Sequence, residues 1–199
     1  MRFFSTLALA ASVLAVAAGC PKAASWEIAE KALGPHSDLE KAEVHRELQR
    51  ALHRAEEEIL DDPQAAKPYV TKAQILWMRG DRAAAIETLH DALTKAKPKT
   101  EAQRERIKLY LMWAYKEAGL EDPDMLKKGI RFVEGLIKED SMKTVYCYHM
   151  GVYYRRLHEL LGEGVYKNEA NRWFLMCTEL DPEIVAELKK EGLYDPFME

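Results

Sequence analysis

The chain has 199 residues, 48% hydrophobic and 31% charged, with 29 basic side chains against 33 acidic ones. That composition belongs to a globular chain with a sizeable core and excludes a disordered or fibrous one. A formal charge of −4 also excludes a protein that coats nucleic acid by an excess of cations.

The first element stands apart from that core. Arg2 precedes an apolar to weakly polar run over residues 3–18 that contains no acid. Its length falls short of the ~20 residues needed to span hydrocarbon, so it reads as an export signal. The run ends in Ala17-Ala18-Gly19-Cys20, which resembles the lipobox of bacterial lipoproteins, with Ala17 where Leu is usual. The resemblance implies cleavage before Cys20, so that 1–19 is a signal peptide and Cys20 carries acyl chains. Two or three such chains anchor stably, since each buried CH₂ contributes about 0.8 kcal/mol. Pro21 stands where Asp marks inner-membrane retention in Gram-negative lipoproteins. The implied location is therefore the periplasmic face of the outer membrane, with residues 20–25 as a tether under ~20 Å long.

Beyond the tether, Gly and Pro act as punctuation: Gly34-Pro35, Asp62-Pro63, Gly80-Asp81, Lys97-Pro98, Gly119, Asp122-Pro123, Gly162 and Asp181-Pro182. Apolar residues between them recur at three- and four-residue steps, as in Leu39, Ala42, Leu48, Ala51, Leu52, Ala55 and Ile59. No run alternates with period two. The spacing predicts helices over 25–33, 38–60, 64–79, 82–95, 101–118, 125–138, 142–161 and 168–180, with a short last one over 183–191. The fold class is all-α.

Small residues then suggest how the helices pair. Ala73, Gly80, Ala85, Leu89 and Ala92, followed by Pro98, place small side chains on both sides of a tight Gly-Asp turn, and Tyr69 and Leu76 supply the bulk. This pattern resembles the tetratricopeptide repeat. A second, degenerate copy runs through Leu111, Tyr115, Gly119, Gly129, Ile130, Val133 and Leu136. A third runs through Gly151, Tyr154, Ala170, Phe174, Cys177, Leu180, Asp181 and Pro182. The resemblance implies antiparallel hairpins stacked as a short right-handed superhelix, with three repeats over 64–182 (64–98, 101–141 and 142–182). Capping helices over 26–63 and a cap and tail over 183–199 complete it. From Ala85 to Gly129 is 44 residues and from Gly129 to Ala170 is 41, against a family period of 34. The surplus is expected in longer turns near 98–102, 120–124 and 157–167.

Catalytic and metal motifs are absent. There is no Cys-x-x-Cys, His-Glu-x-x-His, phosphate loop or Gly-x-Ser-x-Gly, and the six His are scattered. The acidic runs Glu56-Glu57-Glu58 and Asp61-Asp62 lie at a helix end, where no cleft would hold one carboxyl protonated. No enzyme activity, metal or cofactor is expected. Cys147 and Cys177 either form a disulfide, as an oxidising periplasm would favour, or are buried apolar side chains.

The remaining feature is a surface. In the fold that the resemblance implies, the first helices of the repeats line a concave groove. Helical phase assigns to it Lys67, Val70, Gln74, Trp77 and Met78, then Arg106, Leu109, Trp113 and Lys116, then Tyr148, Val152, Arg155 and Arg156, with Glu117 the main acid there. Aromatic faces with basic neighbours suit an extended peptide carrying apolar and carboxylate side chains. The expected function is a membrane-anchored periplasmic adaptor that binds a protein or peptide partner in envelope assembly or secretion. The alternative is a small-ligand or transporter-associated binding lipoprotein that uses the same groove as a pocket.

Overall fold

A computed structural model describes residues 38–184, with side chains from Val44 onward. The expected signal peptide, Cys20, the tether, the helix over 25–33 and all but the start of the C-terminal cap lie outside the described residues. Within them stand seven helices and no strand: α1 (Asp38–Asp61), α2 (Ala66–Met78), α3 (Arg82–Thr94), α4 (Glu101–Ala118), α5 (Pro123–Asp140), α6 (Thr144–Leu161) and α7 (Gly164–Leu180). None of these helices is long and apolar enough to cross a membrane.

The ends of these helices are set by local chemistry. Asp81 opens α3 by accepting from the Ala84 amide at 3.3 Å. Thr100 opens α4 by accepting from Gln103 N at 3.2 Å, while the Gln103 side chain accepts from Lys99 N at 2.8 Å. Asp122 caps α5 through Asp124 N at 2.9 Å, with Pro123 in the first turn, where its missing N–H costs nothing. Gly162 ends α6 in the left-handed region at φ 72°, a conformation that favours glycine.

Each helix packs on the next along the chain, and α4 also meets α6. Short connections make these neighbours antiparallel. One continuous core runs from Tyr69 and Ala73 on α2 to Tyr153 and Leu157 on α6. A smaller cluster, built on Ala170 and Phe174 of α7, is joined by Tyr148 and Val152 of α6 and by Ile184 beyond α7.

The expected longer turn between α6 and α7 is not present: Gly162 and Glu163 alone connect them, and α7 begins at Gly164, four residues earlier than the spacing predicts. The added turn is held by Tyr166, whose ring stacks on Tyr154 at 6.3 Å with planes 26° apart. Much of the surplus over the repeat period is therefore helix, since α4, α5 and α6 each run 18 residues.

Three glycines mark where helices touch most closely. A Cβ on Gly119 would lie 2.4 Å from Leu126 Cδ2, one on Gly129 would lie 2.9 Å from Tyr115 Cβ, and one on Gly151 would lie 2.5 Å from Phe174 Cε1. Gly135, on α5, meets nothing within 4 Å. Gly151→Ala is expected to cost about 1–3 kcal/mol by overpacking, less the ~1 kcal/mol that Ala gains in a helix, and so to destabilise. Gly135→Ala is expected to stabilise by up to about 1 kcal/mol. Urea unfolding of the two variants checks the opposite signs.

Candidate partner-binding face

The predicted face is exposed in part. On α2 and α4, Lys67, Arg106 and Leu109 are exposed, while Gln74, Trp77, Trp113 and Lys116 are half-buried. Tyr148, Val152, Arg155 and Arg156 are half-buried on α6. The inward neighbours of these residues, Tyr69, Ala73, Leu111, Met112, Ala114, Met150 and Tyr153, form the core. Leu109, 41% exposed, is an apolar side chain left standing on that side of α4, whereas Val70, Trp77, Trp113, Tyr148 and Val152 of the expected lining pack against the two hydrophobic clusters.

Only part of the predicted set comes together. Trp77 and Trp113 meet across α2 and α4 with ring centroids 4.8 Å apart and planes at 49°. Both also pack against the core. The Arg82 guanidinium, from the start of α3, lies 5.7 Å over the Trp77 ring, a cation–π contact outside the expected set. Tyr148 instead packs in the smaller cluster with Ala170 and Phe174. Lys67 lies beside Glu58, Asp61 and Asp62 in a hollow between the α1–α2 turn and the start of α4.

The face is less basic than its sequence suggests. Lys116 pairs with Glu117 at 3.5 Å. Arg155 and Arg156 share Glu159, at 3.6 Å and 2.7 Å. Arg156 further donates its Nε to the Leu120 carbonyl at 2.9 Å, which ties α6 to the α4–α5 turn. Glu159 lies one helical turn beyond both arginines, a pairing that i,i+3 and i,i+4 spacing does signal. Lys116 and Glu117 are adjacent in sequence, where spacing gives no such signal. What remains is chiefly aromatic and apolar surface with charges compensated beside it.

Cys147 and Cys177 are free thiols, both fully buried. Among the described residues no group of three or more His, Cys, Asp or Glu side chains is placed to hold a metal ion. No family model matches the chain, and no curated protein and no solved structure matches it either.

His149 lies beneath this face. Its ring stands 5.4 Å from that of Tyr148 and 5.9 Å from that of Tyr153, and its buried Nδ1 has no hydrogen-bond partner. Burial first, and the nearby Lys116 charge second, lower its pKa to about 3. The folded state thus holds the imidazole neutral, whereas the unfolded chain takes up a proton below the ordinary value of 6.5. Stability from this site is present above that value and falls as pH drops, by about 1.4 kcal/mol per unit until the folded pKa is reached. Urea titrations between about pH 6.5 and 4.5 are expected to show this slope, and His149→Leu is expected to flatten it by that amount. An unchanged slope in the variant would show that the imidazole titrates normally.

Proposed function

We propose that the chain is a lipid-anchored periplasmic adaptor with tetratricopeptide-like architecture. In this reading α2–α3, α4–α5 and α6–α7 are the three repeat hairpins of a short right-handed superhelix. The α1 helix caps one end, and α2, α4 and α6 line the concave side. Cys20 carries the acyl chains that hold the protein at the outer membrane, and the face around Trp77 and Trp113 binds a segment of a partner protein in envelope assembly or secretion. The adaptor is non-catalytic.

The observation that carries this reading is the Trp77–Trp113 pair, half-buried and continuous with exposed Leu109 on the same side of α4. Rings held by the core and open to solvent on one side present a rigid apolar step, which orders little on binding. Such anchors dominate protein interfaces, where truncating one commonly costs over 1 kcal/mol. Close glycine and alanine contacts between successive helices, at Ala73, Ala85, Gly129, Gly151 and Ala170, also fit a repeat-hairpin stack.

A photo-crosslinking amino acid placed at Leu109, compared with one at exposed Glu87 on α3, tests the reading in intact cells. The Leu109 site is expected to yield a discrete protein adduct and the Glu87 site none. Trp113→Ala, checked for retained helicity, is expected to weaken that adduct by about tenfold or more. Equal labelling from both sites, or an adduct indifferent to Trp113, would overturn the assigned face. Loss of membrane association in Cys20→Ser is the separate expectation for the anchor.

A further inference from the structure

The α6–α7 hairpin turns at Gly162 and Glu163, so residues equidistant from that turn stand level on the two helices. Gly151 and Phe174 confirm the register, since a Cβ on Gly151 would strike the Phe174 ring. One helical turn further from the hairpin end lie Cys147 on α6 and Cys177 on α7. The Cys177 Sγ donates to the Thr144 carbonyl at 3.4 Å, and the Tyr148 amide faces the same sulfur. That sulfur therefore rests on the α6 backbone between the two residues that bracket Cys147. Gly151 and Ala170 allow the helices to approach closely here, and disulfides between neighbouring elements require such closeness.

We propose that Cys147 and Cys177 form a disulfide site that covalently closes the α6–α7 hairpin when the folding chain meets a disulfide oxidant. One cysteine thiolate attacks the oxidant's S–S bond, giving a mixed disulfide and releasing one oxidant thiol. The second thiolate then displaces the other half of the oxidant, forming the Cys147–Cys177 bond. The protein loses two protons and two electrons, and the oxidant disulfide is reduced to two thiols. Burial raises both thiols, and Cys177 reaches about 12, with burial first and the adjacent Cys147 second among the causes. Thiolate is scarce once the hairpin has closed, so the bond forms as the hairpin assembles rather than afterwards. The inference is independent of the adaptor reading, because it depends on this hairpin alone.

The full chain, unfolded and reduced, is refolded into a mixture of reduced and oxidised glutathione, then alkylated in denaturant and mapped by peptide mass. The expected result is a peptide pair joined through Cys147 and Cys177, lighter by two hydrogens than the reduced pair. A thermal midpoint several degrees above that of the reduced protein is expected with it. Chain that is already folded and reduced is expected to react at least about tenfold more slowly in the same mixture. Cys147→Ala and Cys177→Ala should each abolish the linked pair, and each serves as the control for the other. Refolded chain with both cysteines alkylated, with glutathione on either, or with either joined to Cys20 would overturn the proposal.

Discussion

The arrangement of the helices depends on how closely α4, α5 and α6 approach one another, and that approach is set at Gly129. Any side chain there would meet Tyr115 of α4 and Tyr153 of α6 at once. With hydrogen in that place, the Tyr153 ring lies against α5 while its hydroxyl donates to the Met112 carbonyl of α4 at 2.7 Å. One side chain therefore ties three helices, and its polar end is satisfied inside the core, as a buried hydroxyl must be. The outward face of α6 follows from that junction. Because Tyr153 points inward, Arg155, two residues and about half a turn on, faces the other way.

A second tie closes the other end of the same three helices. Lys108, only 4% exposed, is paired with Glu105 at 2.9 Å and hydrogen-bonded to Asp140, which also accepts from the Tyr146 hydroxyl at 3.0 Å. Lys143 reaches Glu105 at 3.0 Å from the approach to α6. The hydrogen bond from Lys108 holds Asp140 below its usual carboxylate range. Burial alone would raise Glu105, but Lys108 and Lys143 more than offset it. Burying a lysine gains little net stability, yet removing one partner strands a charge, so a network of this kind fixes which helices meet. Ser141, held at φ 70° where a non-glycine residue is strained, sits in the turn beside it. The two ties define the α4–α6 frame from opposite ends.

The helices themselves were largely readable from sequence because their boundaries are written in residue chemistry. Asp81, Thr100, Asp122 and Gly162 mark ends that agree with the spacing to within about two residues. The start of α7 escaped, since Gly164 and Val165 carry no helix signal of their own and Tyr166 holds that turn through Tyr154, twelve positions away. Side-chain phase on α2, α4 and α6 gives the apolar stripe of each helix, but five residues it assigns to the opposite face, Val70, Trp77, Trp113, Tyr148 and Val152, pack against the hydrophobic clusters as well. The electrostatics of that face were readable only in part. Formal charge counts Lys116, Arg155 and Arg156 as basic surface, but Glu159 compensates both arginines at helix spacings the sequence does carry, and Glu117 compensates the adjacent Lys116 through a rotamer that spacing does not signal. Lys108, which no motif in the sequence singles out, is core, because its acids arrive from α5 and from its own helix.

On the proposed adaptor reading, the compensation of charge alters what the face would recognise. A free cluster of arginines would favour any acidic segment and would be weakened by salt. Cations already held by Glu117 and Glu159 offer a partner carboxylate little net gain, because binding would exchange one ion pair for another. Aromatic surface behaves differently. Trp77 and Trp113 brace each other at 4.8 Å, and Arg82 covers one ring, so neither indole can fold away to bury itself. Their exposed edges leave apolar area open to solvent, and the packing that holds them there is the same packing that orders α2 against α4. On the proposed adaptor reading, selectivity on this face would therefore rest on the shape and apolar character of the partner, with the paired charges at its edges setting register.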